Sequence, residues 1–339
     1  MPVMTTTSDV PSNLQGFYDR ALLENASMAL LYDKFGQTRP MPANKGTRIN
    51  FRRYGKLPVN MTPLGEGVTP TGKKLSVTDI YATIKQYGDY VMLTDWLMMT
   101  GLDPNILDIA ENVLSVQLSE TKDTLARDIL VAGTSVRYGG GVSARTSIVT
   151  ALSDDDLDSV IRTLEGNDAK KINKITTAGS GINTSPISAS YIGITHPHCR
   201  RDIQNRSGFV PVAEYASRDS LSTESGEIVE IGSTPGIRWL ASTNAKIVID
   251  SGGAIGATGL VSTSGTLIDT YISLILGKNA YGTVPLQKES VKTIIKQLGS
   301  AGTEDALDQR ATVGHKFATT TKILNDDYMI RIEHGVTSL

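Results

Sequence analysis

Few residue clusters in this sequence carry the spacing that chemistry demands. Gly67-Val-Thr-Pro-Thr-Gly72-Lys73 has the glycine spacing and the lysine of a phosphate-binding loop, in which backbone amides cradle phosphates and the lysine reaches them. Its eighth position is Lys74, where a Mg²⁺-binding hydroxyl belongs, and Pro70 interrupts it. A strand pattern follows instead of a helix, so no helix N-terminus faces a phosphate, and a loop tip is the better account. His196-Pro-His198-Cys199 offers three metal-ligand types without a second cluster nearby, which favours a strand-to-helix junction over a metal centre. Gly252 to Gly259 is glycine-rich but lacks dinucleotide-binding spacing and a following amphipathic helix, and reads as a mobile loop. Asp154, Asp155 and Asp156 resemble a cation cluster, yet negative charge in the first turn of a helix already explains them. His315 and His334 lie on terminal strands without a nucleophile or carboxylate in context, and no G-x-S-x-G elbow occurs. No catalytic residue, cofactor or metal site is assigned from these patterns. The densest charge feature is basic: Arg48, Arg52 and Arg53, with Lys45, Lys56, Lys73 and Lys74. Only Phe51 and Tyr54 interleave there, too few for base stacking, so a solvated face or an interface with acidic neighbours is expected.

The elements that carry these residues are more informative. At 339 residues the chain suggests about two folding units. A formal net charge of −2 excludes a strongly basic nucleic-acid binder while leaving room for a local basic face. The single cysteine, Cys199, excludes an intrachain disulfide framework. No apolar run reaches the ~18 residues of a membrane span, and the first fifteen residues show neither a basic nor an apolar signal region.

Phe17, Leu22, Met28, Leu31 and Phe35 recur at helical spacing, so a helix is expected over 17–35, stopped by Gly36 and followed by the Pro-rich 39–43. Alternation predicts a strand at 47–54 and a second from Leu75 to Thr94, joined by a tip broken by Pro58, Pro63, Gly65, Pro70 and Gly72. The tip reads as polar, and a hairpin so long is not expected to be stable alone. Asp103-Pro104 then opens a helix to Ala132, closed by Gly133, of ~43 Å at 1.5 Å per residue. A short helix capped by Ser153 is followed by brief strands (191–195, 228–231, 237–240 and 246–249), an apolar run at 267–276, and terminal strands at 291–298, 315–324 and 328–334.

This order of arm, long hairpin, long helix and mixed body resembles the major capsid proteins of tailed phages with the Hong Kong 97 (HK97)-like fold. The local sequence is similar to the coliphage N4-type major capsid family at Asp33-Lys-Phe-Gly-Gln37, Phe51-Arg-Arg53, Thr62-Pro-Leu-Gly-Glu-Gly-Val-Thr-Pro70, Lys85-Gln-Tyr-Gly-Asp-Tyr90 and Ala132-Gly-Thr134. The likeness is densest over residues 17–135. It implies an α+β fold with an N-terminal arm (1–46), an extended loop (47–95), a peripheral domain (96–194) holding the spine helix (103–133), an axial domain (195–290) and a return to the peripheral domain (291–339). It implies a structural, non-enzymatic subunit that assembles into pentamers and hexamers of an icosahedral head around double-stranded DNA. The implied partners are further copies of the chain and separate scaffolding, portal and decoration proteins. The implied location is the virion head, assembled in the host cytoplasm, with no membrane.

Intersubunit contacts are expected from the arm residues Phe17, Leu22, Met28, Leu31 and Phe35, and from Arg48, Arg52, Arg53, Glu66, Lys73 and Lys74 on the loop. Some members of the fold join a loop lysine to a neighbour's asparagine; Lys73 and Lys74 lie at the corresponding place, with no motif marking the asparagine or a catalytic glutamate. Removing the arm, 1–36, is expected to spare the body. The competing classes are an α/β hydrolase or nucleotide-binding enzyme, which needs convergent titratable residues, and a non-phage surface-layer or encapsulating shell protein. Limited proteolysis checks the hairpin reading: Gly65 to Lys74 should be cleaved in the free subunit and protected in the assembled particle, and equal cleavage in both overturns it.

Overall fold

The computed structural model describes residues 31–42, 44–67, 69–101, 106–172, 188–215, 230–256, 258–286, 291–300 and 305–338. The strands in chain order are β1 (Gln37–Thr38), β2 (Arg48–Tyr54), β3 (Val77–Thr83), β4 (Lys85–Thr94), β5 (Val136–Tyr138), β6 (Tyr191–Thr195), β7 (Val210–Pro211) and β8 (Glu230–Thr234). They continue as β9 (Ile237–Ala241), β10 (Ile247–Val248), β11 (Thr270–Leu276), β12 (Tyr281–Pro285), β13 (Val291–Lys296), β14 (Arg310–Ile323) and β15 (Met329–His334). Among the described residues these make a β2–β3 hairpin, a five-stranded sheet and an eight-stranded sheet.

The five-stranded sheet is organised by β14. On one edge it pairs antiparallel with β4, from Arg310 opposite Thr94 to Thr319 opposite Lys85. On the other edge it pairs first with β13 and then with β12, which carries the short parallel β1. The single strand expected over 75–94 is two strands that change partner at Ile84, because β3 turns to β2 while β4 stays with β14. The short helix Asp95–Thr100 follows, capped by the Thr94 hydroxyl; the sequence reading had no element there.

The long helix is Ile106–Val131, ~39 Å at 1.5 Å per residue. The expected Asp103 cap and Pro104 lie outside the described residues. Leu114, Leu118, Ala126 and Leu130 form its buried stripe. Its earlier turns cover β14 and β4, where Gln117 Nε2 donates to Asp89 and the Lys122 ammonium lies over the Phe317 ring. Ala126 and Leu130 pack with Ile192, Ile194, Leu240 and Leu274 of the eight-stranded sheet. One helix therefore ties the two sheets together.

The eight-stranded sheet runs β5-β15-β11-β6-β9-β8-β7, with β10 also on β11. Its central strands are buried on both faces, because helix Asp154–Gly166 inserts Leu157, Val160 and Leu164 beside Tyr191 and Trp239 while the long helix covers the opposite side. Gly193 in mid-strand allows this close packing, since a Cβ there would lie 2.6 Å from the Trp239 ring. Ser153 and Asp156 form a reciprocal capping box for that helix, as first-turn acids suggested. The run 267–276, unassigned by period, is strand β11 from Thr270.

Three expectations need correction. Residues 32–36 form turns and not the end of a helix; the rest of the expected 17–35 helix lies outside the described residues. Leu31 and Tyr32 are fully buried in this chain's own core, with Phe35 packed against them, so Leu31 serves the subunit's own packing. Gly252 and Gly253 are buried and hydrogen-bonded to Ile268 and Ile148, so this segment is tied to the sheet rather than a free loop. The eight-stranded sheet joins β6, β11 and β15 side by side.

The anchoring of the chain at residue 32 is polar as well as apolar. Asp123 of the long helix, almost wholly buried, accepts the Tyr32 amide at 2.7 Å and the Asn244 side-chain amide at 2.8 Å. The Tyr281 hydroxyl donates to the Tyr32 carbonyl at 2.6 Å. Removing 1–36 therefore takes core residues with it. Leu31→Ala should cost the isolated subunit about 2–5 kcal/mol, read as a lower denaturant midpoint. An unchanged midpoint would place Leu31 outside the core.

Candidate functional site

The part of the molecule that its own core leaves unfinished is the hairpin. Strand alternation gives β2–β3 two faces. Ile49 and Phe51, with Ile80 and Ala82 opposite, pack on Val284, Leu286 and Met41 and seat the base of the hairpin on the five-stranded sheet. The other face carries Arg48, Arg52 and Tyr81. The Arg48 guanidinium stacks on the Tyr81 ring at 3.7 Å, and Arg52 Nε meets Asp79 Oδ1 at 2.9 Å on the directly opposed strand. The hydrogen bond to Arg52 holds the Asp79 carboxyl below the ordinary range.

Beyond Tyr54 the described residues have no regular structure until Val77. Lys73 Nζ donates to the Pro58 carbonyl at 2.9 Å and closes the tip on itself. Lys56 reaches Asp168, which follows helix Asp154–Gly166, and ties the hairpin to the body. Glu66 lies at a turn before Gly67, whose φ of +74° suits glycine. Arg53, Glu66 and Lys74 are exposed and form no ion pair with another described residue. The basic cluster is thus split: Arg48, Arg52 and Lys73 serve the hairpin's own structure. Phe17, Leu22 and Met28 lie outside the described residues.

The tip is not the polar segment the sequence reading expected. Val59, Met61 and Leu64 are 85%, 90% and 72% exposed. Trp96 and Met99, on one face of the short helix after β4, are likewise exposed. The signal was in the sequence, but Pro and Gly dominated the reading of 55–76 and hid the apolar residues between them. Aliphatic side chains held this far from a core make the tip a candidate interaction surface.

The cysteine, the other histidines and the buried carboxylates are engaged in the fold, while the buried His315 Nδ1 has no hydrogen-bond partner among the described residues. Cys199 is fully buried, and burial pushes its thiol up to about 12, far from a nucleophile. His198 Nδ1 is 2.8 Å from the Tyr271 hydroxyl, and His196 Nδ1 accepts the His198 amide at 3.2 Å. His334 is buried between Ser273 and the Gly335 carbonyl. Glu333, fully buried, is held by a bidentate Arg145 and by Arg331, and Glu230 by Arg238 and Tyr215. No group of three metal-ligating side chains occurs among the described residues. A cavity of about 500 Å³ lies beside Tyr138, Gly140 and Asp155; Asp156 on its wall is already bonded to Ser153 and the Gly140 amide.

No protein-family model matches the chain, and no curated protein does. Solved structures do match. The capsid of Ralstonia phage GP4 aligns with a TM-score of 0.68 over 99% of this chain and 98% of that one, at 13% identity. The capsid of cyanophage P-SCSP1u gives 0.60 over 95% and 93% at 15% identity, and that of cyanophage Pam1 gives 0.58 over 95% and 98% at 11%. At such identities the likeness is one of fold, and it runs nearly end to end in both chains.

Burial, then the neighbouring His198, lower His196 to about 4. Its contribution to stability is complete above the ordinary value near 6.5 and is lost as the pH falls through about 4. In an NMR titration the His196 ring should change protonation near pH 4, and His196→Asn, which keeps an acceptor there, should flatten part of the acid-side loss of stability. A His196 titration near 6.5 would show an open, unburied ring.

Proposed function

We propose that this chain is the major shell subunit of a tailed-phage head, with the HK97-like fold and the N4-type kinship suggested by its local sequence. The observation that carries the reading is the end-to-end fold match to phage capsid chains. The exposed aliphatic tip on a hairpin that cannot complete itself supports it. In this reading β2–β3 and the tip form the extended loop and Ile106–Val131 the spine helix. The five-stranded sheet is the peripheral domain. The eight-stranded sheet is the axial domain, which moves 136–138, 191–194 and 329–334 into it and 281–285 out of it.

The subunit works by association, without turnover. Neighbours that bind only the folded chain stabilise it by mass action, and a heterologous contact between a tip and a neighbour's body closes into pentamers and hexamers. Arg53, Glu66 and Lys74 lie free to meet that neighbour. The particle encloses double-stranded DNA, is assembled in the host cytoplasm with scaffolding and portal proteins, and accepts decoration proteins on its surface.

Electron microscopy of the expressed chain, alone and with its scaffold, tests this. Uniform icosahedral shells are the expected result. A monomer that stays monomeric and turns over a substrate would favour the hydrolase reading instead.

A further inference from the structure

The eight-stranded sheet ends at β5, and the free edge of that strand forms one wall of the cavity beside Tyr138. Among the described residues β5 pairs with β15 alone. In this parallel pair Arg331, the partner of Val136, donates its amide to the Ser135 carbonyl at 2.9 Å. A residue in a parallel pair bonds to the two neighbours of its partner, so Ser135 and Arg137 turn their backbone groups to β15. Val136 and Tyr138 turn theirs the other way, and no further described strand meets their amides and carbonyls.

The opposite wall of the cavity, about 500 Å³ in volume, is the start of helix Asp154–Gly166, with Ser153, Asp155 and Ser159. Arg137 donates to the Thr163 hydroxyl at 3.1 Å, whereas the Gly140 amide reaches Asp156 in the first turn, so strand and helix run in opposite directions. Gly141 leaves the end of the groove open, since a Cβ there would touch nothing within 4 Å. An unpaired strand edge facing a helix suits an extended peptide: main-chain bonds to the strand give affinity, and the walls select alternate side chains.

Those walls differ. Arg137 faces the helix, so by alternation Val136 and Tyr138 face the other side of the sheet. An added strand meets apolar surface with one set of its side chains and polar surface with the other. The unpaired charge on the polar side is negative. Asp155 is exposed and has no ion pair with another described residue, while Arg137 is drawn to Thr163, about two helical turns from Asp155. We propose that the β5 edge binds an extended peptide segment of a partner chain by strand addition, with basic side chains toward Asp155 and apolar ones toward Val136 and Tyr138.

The probe is acetyl-Val-Lys-Val-Lys-Val-Lys-amide carrying a fluorophore, titrated with the full chain and read by anisotropy. In an added strand every second residue turns its amide to the neighbouring strand. N-methylation of one alternate set, either all the valines or all the lysines, should remove the bonds to the Val136 and Tyr138 carbonyls and weaken binding about tenfold or more. Methylation of the other set should leave binding nearly unchanged. Ser159→Trp, which fills the groove from the helix side, should abolish binding of the unmethylated peptide, and Asp155→Asn should weaken it by up to about fivefold. Asp158→Asn, on the same helix but outside the cavity, should leave it unchanged. The methylated peptides leave the protein untouched, so they remain decisive where thermal unfolding shows that a variant is less stable. No binding, or equal losses from the two methylated sets, overturns the proposal. Full-strength binding by folded Ser159→Trp also overturns it, in favour of another sheet edge. A loss from Asp158→Asn as large as that from Asp155→Asn overturns it in favour of adsorption to an acidic helix.

Discussion

The pairing of β4 with β14 is the contact on which the rest of the molecule depends. Ten consecutive opposed residue pairs fix the register, and a slip of one residue would turn every side chain to the other face. That register sends Val313, His315 and Phe317 under the long helix and Lys316 away from it. It also fixes where β4 hands over to β3 at Ile84, and so where the hairpin leaves the body. A hairpin with little core of its own needs such a root. Its direction is inherited from a sheet that is itself held by the helix.

The long helix does a second task. It covers the five-stranded sheet with its earlier turns and the eight-stranded sheet with Ala126 and Leu130, so neither sheet can shift without disturbing the other. The buried Asp123 sits between these regions and fastens the chain at Tyr32 to the helix and to Asn244. Burial raises the carboxyl's pKa against the pull of these donors. Leaving the donors without their acceptor would cost about 1–3 kcal/mol each. The N-terminal segment therefore departs from a fixed point on the body, whatever it meets beyond.

Burial is distributed unevenly, and the unevenness has a functional meaning. The central strands of the eight-stranded sheet are covered on both faces, whereas the hairpin tip holds Val59 and Met61 almost fully in solvent. A chain selected only for stability as a monomer would not place its aliphatic residues this way. The eight-stranded sheet is packed on both faces, and the hairpin tip is not.

Local rules alone determined several elements. The capped helix at 154–166, the long helix, strand β6 and the last two strands were legible because capping residues and apolar period act within a few residues of sequence. The order of hairpin and long helix was legible too, and the chain shares its overall fold with the capsid structures it matches. What sequence left open depended on partners far along the chain. Nothing near Ile84 shows that a continuous alternating run changes partner there, because the partners lie at 48–54 and 310–319. Leu31 could belong to an arm or to a core, and only Asp123 and Tyr281 decided for the core. The opposition of Lys292 and Lys316 arises from a register between strands about twenty residues apart. Periodicity tells which residues share a face of one strand; only tertiary pairing tells which strand lies beside it.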